Sequence, residues 1–198
     1  MSKHARRNTP SSHLDYAAMG INRTIVLVGL MGVGKTTVGR RLARKLGLGF
    51  VDSDHEIEKA ADMSVAEIFE KYGEEDFRSG ERRVIARLLE GEPQVVATGG
   101  GAFINEETRT LIKNAGLSVW LDADISVLVE RTSRRDTRPL LKQGNPEEIL
   151  RNLASARAPF YAEADLKVKS CIGPHDRVVK DIVSALENHS TALRTKDE

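Results

Sequence analysis

Cysteine is nearly absent from this chain of 198 residues: Cys171 stands alone, so no internal disulfide can form, as expected in a reducing cytosol. The five histidines are scattered, without the Cys/His spacing of a zinc site. Charge of one sign is missing too. The 30 basic and 29 acidic residues leave a net charge of +1, so nothing pulls the whole chain toward nucleic acid or anionic lipid. No apolar run is long enough to span a bilayer. The basic start, "MSKHARRNTPSSHLDYAAMGINR", has no apolar segment behind it and does not read as a secretory signal. Internal repeats and low-complexity segments are also lacking. The expectation is a cytoplasmic protein with neither a nucleic-acid nor a membrane partner, and nothing suggests an obligate oligomer, so a monomer is expected.

What is present is a 40% hydrophobic share, enough for a sizeable core, and an alternation of strand-like and helix-like segments. "TIVLVG" (24–29) is continuously apolar, as in a strand covered on both faces. Val38, Leu42 and Leu46 then recur on one face of a helix expected from about Gly34 to Leu46, with Gly47 as its stop. Further strands are expected at 49–52, 94–98, 117–121 and 166–170. Ser64 and Glu67 form a capping box for "SVAEIFEKY", and a second, longer amphipathic helix is expected over 74–90. Asn105 caps "EETRTLIKNA", and Asn145–Pro146 opens another helix. A closing helix covers "HDRVVKDIVSALEN". This alternation implies an α/β fold, a five-stranded parallel sheet with helices on both faces. Residues 23–188 are expected as one domain, with polar, frayed tails at 1–22 and 189–198. Ligands of such sheets bind outside the carboxyl ends of the strands. The glycines after the first strand, the carboxylates after the second and the glycines after the third would converge there.

Gly29-x-x-x-x-Gly34-Lys35-Thr36 fits the phosphate-binding loop pattern, between strand and helix as that pattern requires. Glycines 29, 32 and 34 let the backbone curl and turn its N–H groups inward at a helix N-terminus, where the dipole also favours anions. The phosphate-binding set is therefore Gly32, Val33, Gly34, Lys35, Thr36 and Thr37. Lys35 supplies a point charge to the β- and γ-phosphates, and the Thr36 hydroxyl is a hard oxygen ligand for Mg²⁺. A turn that merely packs a helix on a strand would not need the Lys-Thr pair. The GTPase base-reading motif Asn-Lys-x-Asp is absent, and the chain is short for most motor cores, which leaves a small kinase.

"GLMGVGKTTVGRRLA", "FVDSDHEIE", "SVAEIFEKYGEEDFRSGE", "TGGGA", "RPLL" and "RAPFY" occur in the order and spacing of shikimate kinases, and the resemblance covers about residues 24–165. It implies a P-loop kinase of the nucleoside-monophosphate-kinase-like fold, with a substrate-binding lobe over about 52–92 and a lid over about 131–145. It further implies ATP-dependent phosphorylation of the shikimate 3-hydroxyl, in aromatic amino-acid biosynthesis, with one Mg²⁺ per subunit.

The resemblance assigns Asp54 to the substrate hydroxyls, as base or as the group that aims the attacking oxygen. Asp52 it assigns to Mg²⁺ through water, with capping of the helix near His55 as the plainer alternative. His55 itself reads as a surface residue. Arg78 and Arg157 match the family's carboxylate-binding arginines, a role suited to a guanidinium fork. Glu81, three residues after Arg78 on one helix, can hold that arginine. Gly100 and Gly101 are assigned to the substrate, Arg138 of "RPLL" to the transferring phosphate, and Arg131 to the length of the nucleotide. Lys35, Asp54 and Arg138 form the expected catalytic set. Phe69 and Phe77 either wall the substrate ring or pack in the core. Asp122, at the end of "SVWLD", imitates a Walker B acid but is read, with Asp124, as starting the next helix. No adenine contact is assigned within 169–176. The alternatives are a related kinase, for example of gluconate, and an ATP-binding relative without catalysis. The second usually loses the loop lysine, the lid arginine or the acceptor aspartate, all present here.

Overall fold

The computed structural model of the protein describes residues 14, 16–133, 144–171 and 173–195. Five strands form one parallel sheet: β1 (Thr24–Val28), β2 (Gly49–Asp52), β3 (Gln94–Ala97), β4 (Gly116–Asp122) and β5 (Leu166–Lys169), in the order β2-β3-β1-β4-β5. The central strand β1 is buried along its whole length, which explains its unbroken apolar sequence. Its register sets Ile25 beside Val95 and Leu117, both within the core.

Seven α-helices are described: α1 (Lys35–Leu46), α2 (Ser53–Ala61), α3 (Val65–Glu90), α4 (Glu106–Ala115), α5 (Ile125–Ser133), α6 (Pro146–Tyr161) and α7 (His175–Arg194). Their starts follow local chemistry. Ser64 and Glu67 make the reciprocal capping box, Asn105 accepts from Thr108 N, and Asn145 accepts from Glu147 N with Pro146 in the first turn. Val38, Leu42 and Leu46 of α1 are buried in the main core. The two helices expected between 64 and 90 meet without a loop at Gly73, whose φ of 81° breaks the helical path within α3. Ile57, Ile68 and Phe77 give the α2–α3 lobe a small core of its own, separate from the main one.

The tail boundaries need correction. Tyr16 and Ile21 are buried, Ala17–Met19 forms a 3-10 turn, and the Tyr16 hydroxyl donates to Arg23 O at 2.8 Å. At the other end α7 continues to Arg194, past the expected stop near 188. The two segments hold each other: Ser190 donates to Met19 O, and Arg194 donates to Ala18 O at 3.1 Å. Residues 16–22 and the last turns of α7 therefore belong to the folded body. No local periodicity announces this, because each segment is ordered by a partner at the far end of the chain. No described helix is long and apolar enough to cross a membrane.

Candidate active site

The carboxyl ends of β1, β2 and β3 open into a cleft of about 630 Å³. Its floor is the loop from β1 to α1. Gly34 caps α1 at φ 102°, a left-handed conformation that side chains resist. Of the residues expected to bind phosphate, Gly32, Gly34, Lys35, Thr36 and Thr37 line the cleft; Val33 lies beneath, almost fully buried. The Lys35 ammonium folds back over the loop and donates to Gly29 O at 2.7 Å and Leu30 O at 2.9 Å.

Asp52, at the end of β2, serves two partners. Its Oδ2 accepts from the Thr36 hydroxyl at 2.8 Å, and its Oδ1 accepts from Asp54 N at 3.2 Å, capping α2. Capping and a place beside Thr36 are thus compatible. A hydroxyl and a carboxylate at the phosphate loop are hard oxygen donors, and Mg²⁺ is typically held by one or two such groups together with substrate phosphates. The residues present fit that ion.

Asp54 lies in the first turn of α2 and faces the turn at 99–101. A Cβ built at Gly99 would sit 2.6 Å from Asp54 Oδ1 and 3.2 Å from Glu81 Oε1. Glu81 is fully buried, and its Oε2 accepts from Arg78 Nη1 at 2.7 Å. Its Oε1 has no hydrogen-bond partner among the described residues. Burial pushes the Glu81 carboxyl above its usual range, Arg78 opposes this, and the nearby Asp54 charge adds to it. For Arg78, burial works against the charge, but the Glu81 and Glu74 carboxylates together outweigh it, so the guanidinium is held in its charged form. Arg78 also lies over the rings of Phe77 and Phe69, at 5.1 and 5.9 Å. Phe77 is a core residue of the lobe, with Phe69 packed against it.

The turn after β3 gathers the rest. A side chain at Gly101 would overlap the Arg78 guanidinium. Arg157, on α6, donates to Gly100 O at 3.1 Å, and Tyr161, one turn later, donates to the same oxygen at 2.5 Å. A Cβ at Gly100 would lie 3.5 Å from Met31 N and 3.6 Å from Gly29 O, so the turn packs directly on the phosphate loop. Asp54, Gly99 and Gly100 line the cleft itself. Arg78, Gly101 and Arg157 are outside its lining; the two arginines lean on the turn instead.

Arg131 is occupied by protein. It donates to Val33 O at 2.9 Å, Ser170 Oγ at 3.0 Å and Cys171 O at 2.9 Å. It therefore braces the phosphate loop against the segment after β5, while also lining the cleft. His175 lines the cleft nearby. Burial, then Arg131 and Arg41, lower its pKa, which favours the neutral imidazole. Asp122 pairs with Lys167 at 3.1 Å and Asp124 with Lys169 at 2.9 Å, which gives both acids structural partners. His55 is exposed at the cleft edge. Arg138 lies outside the described residues, as do Arg134, Arg135, Lys142 and most of the expected lid.

Sequence reasoning missed Tyr161, Ser170 and His175. The motif "RAPFY" contained the first, but only contact with a glycine 61 residues away reveals its use.

The family model described as "Shikimate kinase" matches residues 31–187. A shikimate kinase of Paramagnetospirillum magneticum is 62% identical over 150 residues, 76% of this chain and 77% of its own length. The solved shikimate kinase from Acinetobacter baumannii, in complex with shikimate, superposes with a TM-score of 0.79 at 41% identity, covering 85% of this chain and 94% of that one. A gluconokinase from Sinorhizobium meliloti shares the fold alone, at 21% identity and a TM-score of 0.60, over 88% of this chain and 97% of its own. The sequence match, the fold and the converging loops carry one conclusion: this chain belongs to the shikimate kinase family.

Proposed function

We propose that this chain transfers the γ-phosphoryl group of ATP to the 3-hydroxyl of shikimate, giving shikimate 3-phosphate and ADP. It does so as a cytoplasmic monomer, on the route to aromatic amino acids. The observation that carries this reading is the turn at 99–101. One carboxylate (Asp54) and two guanidiniums (Arg78 and Arg157) meet it, and it packs on the loop that receives the triphosphate. A small ring bearing hydroxyls and one carboxylate needs that combination of acceptor and cations.

The loop amides of Gly32 to Thr37 and the N-terminal end of α1 hold the phosphate oxygens. On nucleotide binding the Lys35 ammonium exchanges its two carbonyl partners for the β- and γ-phosphates. Thr36 and Asp52 would hold one Mg²⁺, which supplies charge neutralisation to the phosphates when bound. Asp54 accepts a hydrogen bond from the attacking hydroxyl and aims it at the γ-phosphorus. As the new O–P bond forms and the bond to the β–γ bridging oxygen breaks, the hydroxyl proton passes to the Asp54 carboxylate. Such transfers are loose, so positioning contributes more than proton removal. Arg78, held by Glu81, and Arg157 pair with the ring carboxylate. Arg138 is assigned to the transferring phosphate, Arg131 to the nucleotide side of the cleft, and Gly100 and Gly101 to backbone contact with the ring.

A coupled ADP-release assay tests the reading, with shikimate, gluconate or no acceptor added. Shikimate should raise ADP release far above the other two. Faster turnover of gluconate would move the chain to another acceptor, and nucleotide binding without turnover would mark a non-catalytic relative.

A further inference from the structure

Two donors converge on one carbonyl in the acceptor site. Tyr161 Oη and Arg157 Nη1 both bond Gly100 O, at 2.5 and 3.1 Å. They lie four residues apart on α6, hence on one face of it. The Tyr161 ring is 2% exposed and tilts against Trp120 of β4, with centroids 5.9 Å apart. Trp120 in turn borders the start of the phosphate loop: a Cβ at Gly29 would lie 3.5 Å from its Cδ1. The phenol thus joins the turn at 99–101 to the strand that backs the loop.

The geometry has a consequence for substrate. In a trans peptide the carbonyl and the following N–H point in opposite directions. Two donors on Gly100 O therefore also set the direction of the Gly101 N–H, and the Arg157 guanidinium is held by the same oxygen. Burial raises the Tyr161 hydroxyl to about 12, with Arg157 opposing, so the group keeps its proton and donates at neutral pH. A buried tyrosine hydroxyl needs an acceptor, and here that acceptor is the Gly100 carbonyl shared with Arg157.

We propose that Tyr161 is a positioning residue for the acceptor: with Arg157 it clamps the Gly100 carbonyl, and so presets the 99–101 turn and the arginine for shikimate. This rests on the kinase reading above. It goes beyond it by giving a defined task to a core side chain that does not line the cleft.

The test is Tyr161→Phe in the full-length enzyme, assayed by ADP release with each substrate varied in turn and with Tm recorded. The shikimate KM should rise about 5–10-fold, the size of one lost hydrogen bond, while the ATP KM stays within about twofold. Arg157→Lys and the double variant complete a cycle. Because the two side chains share an acceptor, their effects on shikimate kcat/KM should fall short of the product of the single effects. An unchanged shikimate KM overturns the proposal, as do equal rises in both KM values, a variant unfolded at assay temperature, or a strictly multiplicative cycle. Wild-type turnover keeps the two readings apart. No shikimate-dependent ADP release by the wild type rejects the kinase reading, whereas normal wild-type turnover with an unchanged Tyr161→Phe KM rejects the clamp alone.

Discussion

Arg78 donates to Glu81 one helical turn away at 2.7 Å, and the glutamate that receives it has no solvent exposure at all. A buried carboxylate is costly unless paired, and a half-buried guanidinium is imprecise unless held. Each residue corrects the other, and the pair presents a fixed cation beside Gly101. Among the described residues, Glu81→Ala should leave Arg78 with the exposed Glu74, at 3.2 Å, as its one carboxylate partner. We expect a stability loss of about 3 kcal/mol by urea titration and a shikimate KM raised about tenfold or more. An unaltered KM in folded protein would separate Glu81 from substrate binding.

Lys35→Ala should remove most turnover, with kcat lowered by on the order of 10²-fold or more. Calorimetric ATP titration checks the binding side, and full activity in this variant would remove the lysine from the chemistry.

The two arginines assigned to different substrates should separate kinetically. Arg157→Ala should mainly raise the shikimate KM, and Arg138→Ala should mainly lower kcat. Steady-state kinetics with both substrates varied reads the split, and the reverse pattern would exchange their roles.

Asp54→Asn keeps a hydrogen-bond acceptor but loses the base. A kcat lowered by on the order of 10²-fold or more would mark proton acceptance as its task. Near-normal turnover would assign it to aiming the hydroxyl.

His175 gives a pH signature. Its pKa is lowered from 6.5 in the fold, by burial first and then by Arg131 and Arg41, with Asp176 opposing. The folded state therefore binds this proton more weakly than the unfolded chain does. The stability so contributed is complete above about pH 6.5 and is lost as pH falls through the lowered value. Between pH 8 and pH 5 the wild type should lose more Tm than His175→Gln; parallel curves would contradict this.

The parts of the fold legible in the sequence are those with local causes. The phosphate loop is a contiguous run whose glycines and Lys35-Thr36 pair state their purpose, and Ser64, Asn105 and Asn145 cap the helices they precede. Asp52 read either as a cap or as a neighbour of the metal, and its two oxygens serve the cap and Thr36. Less legible are features made by distant partners. Arg131 reaches Val33 across 98 residues, Ser170 reaches Val33 across 137, and the Tyr16 segment is held by the end of α7. None of these leaves a period or a cap in the local sequence. The split at Gly73 was visible, but the absence of a loop there was not, because one glycine with positive φ bends a chain as well as it ends a helix.

The most direct measurement is product identity. The protein is incubated with ATP, Mg²⁺ and shikimate, and the product is read by phosphorus NMR and mass spectrometry. The account predicts a single phosphate monoester on the 3-hydroxyl, formed in equal amount to ADP. ADP without a phosphorylated ring, or a phosphate on another hydroxyl, would contradict it.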